Sequence, residues 1–316
     1  MFLLKKELIF GSVPFMECHA STIVLCGKGK IAAWFGGEKE GKNDVRIWYS
    51  RTENGGWSTP EQIPAVCDMP HWNPVLFETA PGEITLFYKI GPSVSEWKTY
   101  FTVSYDIGHT WSVPMELIEG DTSDGRGPVK NKPLRHSSGA LLSPASTERE
   151  RWRPFIDRFD GEKWEKIPIP VVEENGARLH LIQPTLWESD NGSVHALMRS
   201  QNGSIFRSDS FDGGKSFCKA YMTSLPNNNS GIDCVRTESG IIALVCNPVQ
   251  RGRTPLSLLL SSDNGETFEK VLDLETEEGE YSYPAVITEG NRLFITYTYK
   301  RKSIAYAEID LKNNAF

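Results

Sequence analysis

Apolar and polar residues alternate in short runs along the chain, as in Thr22 to Cys26, Ile31 to Phe35 and Val45 to Tyr49, with Gly, Asn and Asp between the runs. A period of two over such lengths predicts half-buried β-strands joined by tight turns. No segment sustains the 3.6-residue period of an amphipathic helix. The strands also come in groups. Ser104-Tyr105-Asp106-Ile107-Gly108-His109-Thr110-Trp111, Ser210-Phe211-Asp212-Gly213-Gly214-Lys215-Ser216-Phe217 and Ser261-Ser262-Asp263-Asn264-Gly265-Glu266-Thr267-Phe268 share the pattern S-x-D-x-G-x-[TS]-[WF], and worn copies end at Trp57 and Trp164. The five aromatic ends fall 51 to 54 residues apart. Asp and Ser bond nearby backbone N–H groups, Gly supplies a positive φ and the ring turns inward, so the motif is a turn staple. Four strands per unit of this length predict propeller blades, and 316 residues accommodate six. The last unit, Ser282 to Asp310, is one strand short, and Lys6 to Phe10 is expected to supply it and close the ring. The reading is an all-β, six-bladed β-propeller of four-stranded antiparallel blades, one domain over residues 1–316 without a linker.

In a propeller the innermost strands all start at one end of the central channel. Here those starts read Cys18-His19-Ala20-Ser21, Trp72-Asn73-Pro74, Asn131-Lys132-Pro133, Gln183-Pro184-Thr185, Ser230-Gly231-Ile232-Asp233 and Tyr281-Ser282-Tyr283-Pro284. Ends of second strands add Lys89, Arg199 and the loop holding Glu38, Glu40 and Asp44, and Arg253 opens a third strand. A single charge at a strand end is ordinarily solvated or paired; recurrence at equivalent positions of successive blades is what points to a pocket. Candidate substrate-binding residues are Arg199, Arg253, Lys132, Asn73, Trp72, Asp233 and Tyr283. Tyr281, His19 and Gln183 are further candidate site residues, as is one among Glu38, Glu40 and Asp44 of a single loop. His71, His109, His136, His180 and His195 show no paired metal-ligand spacing, so no metal is expected, and no motif calls for a cofactor.

Composition narrows the partners. The net charge of −7 offers phosphate backbones little attraction, so nucleic acid is not an expected partner. No stretch has the ~18 to 20 apolar residues of a membrane span. The opening Met1 to Ser12 lacks the apolar core of a signal peptide, so a cytoplasmic protein is expected. Six cysteines without a CxxC pair are expected to be buried, reduced thiols, which leaves the Asn191, Asn202 and Asn228 sequons as chance matches.

The turn motifs resemble those of the Asp-box (BNR repeat) proteins of the sialidase superfamily, six-bladed propellers that cleave terminal sialic acids. The resemblance implies three arginines on the substrate carboxylate, a tyrosine nucleophile activated by a glutamate, and an aspartate acid. Arg199 resembles the second arginine, Arg253 the third, and Tyr281-Ser282 the Tyr-Ser that carries the nucleophile. Three positions depart: the first arginine reads His19-Ala20-Ser21, the activating glutamate reads Gln183, and the catalytic acid has only loose candidates in Glu38, Glu40 and Asp44. A group of cytoplasmic neuraminidase-like sequences is similar in His19 to Thr22, Trp34 to Gly37, Trp72 to Leu76, Lys130 to Pro133, Gln183 to Thr185, Asn229 to Asp233 and Glu280 to Pro284.

Three functions stay open at this level. A glycoside hydrolase would release a terminal acidic sugar, Arg199, Arg253 and Lys132 holding its carboxylate and Tyr281 attacking. A uronate lyase would use His19, tyrosine and arginine for β-elimination, a chemistry that needs no carboxylate nucleophile. A sugar-binding propeller without turnover would stack its ligand on Trp34, Trp72 and Tyr283. The expected partner is a small acidic oligosaccharide or glycoside, and the sequence sets no oligomeric state.

Overall fold

The computed structural model describes residues 1–27, 29–123, 125–173 and 178–311. Six antiparallel sheets follow one another along the chain, and no helix occurs among the described residues. Blade 1 runs β2 (Glu17–Cys26), β3 (Gly29–Gly37), β4 (Arg46–Glu53) and β5 (Gly56–Trp57), with β6 (Glu61–Gln62) also on β4. Blade 2 is β7 (His71–Ala80), β8 (Glu83–Ile90), β9 (Lys98–Ser104) and β10 (Met115–Glu116). Blade 3 is β11 (Leu134–Arg135), β12 (Leu141–Glu148), β13 (Trp152–Phe159) and β14 (Trp164–Pro168). Blade 4 is β15 (Leu181–Glu188), β16 (Val194–Ser200), β17 (Ser204–Ser210) and β18 (Tyr221–Pro226). Blade 5 is β19 (Asp233–Arg236), β20 (Ile242–Cys246), β21 (Leu256–Ser261) and β22 (Glu269–Glu275). Blade 6 is β23 (Tyr281–Glu289), β24 (Arg292–Tyr299) and β25 (Ser303–Asp310), completed by the N-terminal β1 (Phe2–Leu8).

The N-terminal strand thus closes the ring, but over Phe2–Leu8 rather than Lys6 to Phe10, with Lys6 opposite Ala307. Ile9 and Phe10 leave the edge because their side chains fill the seam between blades 6 and 1, where Phe10 stacks on Trp34 at 4.8 Å. Each of the six seams between neighbouring blades holds its own buried apolar cluster. Every blade therefore buries both faces, which is how a ring of thin sheets acquires a core. The cysteines carry no disulfide among the described residues. Cys18, Cys26, Cys234 and Cys246 are buried, whereas Cys67 is half-buried and Cys218 exposed, so burial holds for four of the six.

The three full repeats act as staples. In each, the serine hydroxyl donates to the aspartate and accepts the N–H of the glycine four residues on at 2.8 Å, as at Ser104 and Gly108, Ser210 and Gly214, Ser261 and Gly265. Each aspartate also accepts from the backbone and hydroxyl of Thr110, Ser216 or Thr267. At Asp106 the Thr110 bonds lead; at Asp212 and Asp263 desolvation opposes, but the hydrogen bonds outweigh it, and all three carboxyls are held at about 2. An unfolded Asp titrates near ~3.9, so these groups stabilise the fold above that pH and the contribution is lost as pH falls toward 2. The thermal midpoint should therefore drop between about pH 5 and 2. Asp→Asn changes at positions 106, 212 and 263 together should lower the neutral-pH midpoint and flatten that slope. An acid slope identical to wild type would show that the staples do not carry the linkage.

Candidate functional site

Four inner strands share one irregularity. The pairs His19↔Phe35 and Thr22↔Ala33, Trp72↔Lys89 and Val75↔Phe87, Ile182↔Arg199 and Thr185↔Leu197, and Ser282↔Thr298 and Ala285↔Thr296 each leave two residues opposite one. The first residue of each bulge is left-handed: Ala20 (φ 59°), Asn73 (φ 41°), Gln183 (φ 53°) and Tyr283 (φ 51°). A bulge re-aims the side chain it carries, and non-glycine residues hold a positive φ only where the surroundings over-determine it. Blades 1, 2, 4 and 6 thus present a strained residue at the same level of the channel.

Tyr283 and Arg199 form the centre of the mouth. Arg199, buried at 5 % exposure, donates through Nη1 to the Tyr283 hydroxyl at 2.7 Å and to Gln183 Oε1 at 3.1 Å, and through Nη2 to Asn229 Oδ1 at 3.0 Å. Among the described residues it forms no ion pair. A buried guanidinium whose hydrogen bonds all go to neutral acceptors is a site prepared for an anion. The Tyr283 ring lies 4.1 Å from the His19 ring, and a Cβ at Gly231 would come within 3.3 Å of it, so glycine there makes room for the tyrosine.

His19 is buried, with Nδ1 2.9 Å from Thr298 Oγ1. Desolvation, then the charges of Arg301, Arg253, Arg199 and Lys130, hold its imidazole well below the usual range, so the ring is neutral. Its ring-proton NMR signals should accordingly stay flat from pH 6 to 8. A midpoint near 6.5 in that titration would place the ring in a wetter, less cationic setting than the structure does.

A second charged group flanks the first. Glu280 accepts from Arg253 Nη1 at 2.6 Å and from Arg301 Nε at 2.9 Å, while Arg301 Nη1 reaches Glu40 at 2.6 Å and Arg253 Nη1 also donates to Ser282 Oγ at 3.2 Å. Arg301 stands at the turn before β25, the place in blade 6 that Arg253 holds in blade 5. The positional rule that picks out Arg253 applies equally to Arg301, which lies in the basic run Lys300-Arg301-Lys302. The same holds for Glu148. It ends the second strand of blade 3, as Arg199 does in blade 4, but sits in the charged run Glu148-Arg149-Glu150-Arg151. Its carboxylate accepts from Gln183 Nε2 at 3.3 Å, and desolvation raises its pKa although Arg199 and that hydrogen bond oppose this. A cleft of about 360 Å³, walled by Val94, Trp97, Thr147 and Glu148, opens beside it. Lys130, fully enclosed, donates to Asn131 Oδ1 and to the Ile232 and Pro284 carbonyls beneath Tyr283, and desolvation brings its pKa down to about 7.

The remaining expected residues divide between the mouth and other places. Tyr281, expected as the nucleophile, has no exposed surface; its ring lies in the apolar seam between blades 5 and 6, against Tyr299 at 5.3 Å, and burial raises its pKa. Strand alternation turns Tyr281 into the seam, and the bulge at Tyr283 aims the second tyrosine into the mouth. Lys132 and Asp233 pair with each other at 2.9 Å, and Asp233 also accepts from Thr185 Oγ1 and Val286 N, so together they clasp blades 3 to 6 inside the channel. Trp72 is a wall: its indole donates to the Gly91 carbonyl and its rim lies under the loop at Gly41. Asn73 is buried at the bulge of blade 2. Of the acid candidates, Asp44 caps the Glu38 N–H at 2.6 Å, Glu38 stays exposed, and Glu40 is the member of the loop that reaches the mouth. Lys89, buried, donates to Thr99 and the Arg126 carbonyl.

The propeller, its Asp-box turns and this cationic mouth define a class, and sequence comparison supplies the family. Residues 30–295 match the sequence model of the BNR repeat-like domain, and the chain belongs to that family. No curated protein matches it. Solved structures of similar fold include a Dyadobacter fermentans protein of unknown function, 15% identical over 98% of this chain and 99% of that one, with a TM-score of 0.81. The Hadza microbial sialidase Hz136 is 16% identical over 94% of this chain and 66% of its own, with a TM-score of 0.76. The NanB sialidase of Streptococcus pneumoniae is 12% identical over 96% of this chain and 70% of its own, also with a TM-score of 0.76. The fold is thus sialidase-like, and no described helix is long and apolar enough to cross a membrane.

Proposed function

We propose that the channel mouth binds a small oligosaccharide or glycoside ending in a carboxylate-bearing sugar and hydrolyses its terminal glycosidic bond. The observation that carries this reading is the buried Arg199 guanidinium, which has no carboxylate partner among the described residues and donates to the Tyr283 hydroxyl. In this reading Arg199 holds the sugar carboxylate, and Glu148, its pKa raised by burial, gives its proton to the leaving oxygen. Tyr283 bonds the anomeric carbon, its proton passing to the neutral His19 packed beside it, and water then releases the sugar. The cleft beside Glu148 takes the rest of the oligosaccharide.

One observation favours elimination instead. The place of an activating glutamate is held by Gln183, while a neutral imidazole stands against the tyrosine. With a uronate, His19 would take the proton next to the carboxylate, Arg199 would stabilise the resulting charge, and Tyr283 would protonate the leaving oxygen. A panel of sialylated and uronate-capped oligosaccharides, read by mass and ultraviolet absorbance, separates the two. A product heavier by one water supports hydrolysis. An unsaturated, absorbing product supports elimination, and tight binding without product makes the mouth a lectin-like site.

A further inference from the structure

The end of the propeller opposite the mouth carries a second arrangement of reactive groups. Ser189 starts the turn between β15 and β16, His195 lies on β16 and Asp209 near the end of β17. Ser189 Oγ is 2.6 Å from His195 Nε2, and His195 Nδ1 is 2.6 Å from Asp209 Oδ1. With its proton on Nδ1, donated to that carboxylate, the imidazole presents Nε2 as the acceptor facing the serine hydroxyl; Arg207 Nη2 also lies 3.1 Å from Nδ1. Asp209 is itself fixed, by Arg207 Nε at 2.9 Å and the Tyr221 hydroxyl at 2.7 Å. Trp187 stacks on the imidazole at 5.0 Å and locks its plane.

We propose that Ser189, His195 and Asp209 form an acyl-transfer site that hydrolyses short carboxylic esters. Asn264 completes it. Its Oδ1 accepts from Trp187 Nε1 and, at 2.9 Å, from the Ser189 hydroxyl, whose proton must turn to His195 Nε2 for the attack, and its Nδ2 lies 3.2 Å from that nitrogen. A fixed side-chain amide beside a serine nucleophile is the donor a tetrahedral oxyanion needs. A cleft of about 660 Å³, walled by Phe211, Ile241 and Arg236, opens onto the serine and suits a short acyl group with a polar alcohol. Ser189 Oγ attacks the carbonyl carbon while its proton moves to Nε2, and the alcohol departs with that proton. Water, deprotonated by the same nitrogen, then attacks the acyl-serine, releasing the acid and restoring the hydroxyl.

A fluorophosphonate probe and p-nitrophenyl acetate test the site on the whole chain. One adduct is expected, mapped by peptide mass to Ser189, and Ser189→Ala should lose both the adduct and at least ~100-fold of the ester turnover. Ser189 stands on a half-exposed turn, so the variant's thermal midpoint should stay near wild type. Absence of any adduct on the wild-type protein, or an adduct and turnover that persist in Ser189→Ala, would overturn the proposal and leave the cluster as a seam between blades 4 and 5. If the variant does not fold, the position of the wild-type adduct still decides. The outcome is independent of the sugar panel, because the two sites share no residue.

Discussion

Replacing Arg199 by methionine is expected to weaken binding of acidic sugars by ~100-fold or more, about 2.7 kcal/mol, while leaving neutral sugars unaffected. Arg199 is at 5 % exposure, so its charge acts where water screens little, and its fork already points two nitrogens toward the mouth. Methionine keeps most of the volume and removes only the donors. The change also strips Gln183 Oε1, Asn229 Oδ1 and the Tyr283 hydroxyl of a partner, so a loss of about 1 to 3 kcal/mol in stability should accompany it. Arg199→Lys should fall between, restoring the charge without the fork. Calorimetric titration with acidic and neutral glycans, beside a denaturant curve, reads both effects. Wild-type affinity in Arg199→Met would move the carboxylate clamp away from this residue.

The second large effect contrasts two tyrosines two residues apart. Tyr283→Phe should lower turnover by ~100-fold to 10,000-fold with little change in stability, because it removes only a hydroxyl aimed into the mouth. Tyr281→Ala should do the reverse. It empties a wholly buried aromatic site in the seam between blades 5 and 6, at a cost of about 3 to 5 kcal/mol, and Tyr281→Phe should leave activity intact. Turnover and unfolding measured on the three variants decide between them. Activity lost in Tyr281→Phe but kept in Tyr283→Phe would return the role to Tyr281.

These two residues show where reading the chain stops. Tyr281-Ser282 matches the family's Tyr-Ser pattern of residue types, but whether position 281 or 283 faces the mouth depends on strand register, which a two-residue bulge reverses. Lys132 and Asp233 have the chemistry of carboxylate ligands and are consumed by each other, a pairing between residues 101 positions apart. Glu148 and Arg301 satisfied the same positional rules as Arg199 and Arg253 and were hidden by charged neighbours in sequence. The Ser189, His195 and Asp209 cluster has no motif at all, since its three members come from a turn and two strands of one blade.

What the chain determines on its own is local and repeated: the alternation of apolar residues, the Asp-box turns every 51 to 54 residues and hence six blades. Each unit carries its own turn chemistry and its own period, so these signals survive without knowledge of the neighbours. The tertiary structure alone decided which side chains meet at the channel, which charges cancel and which ring stays neutral. Those properties depend on desolvation and on distances between blades, and both arise only when the ring closes and brings residues remote in sequence together.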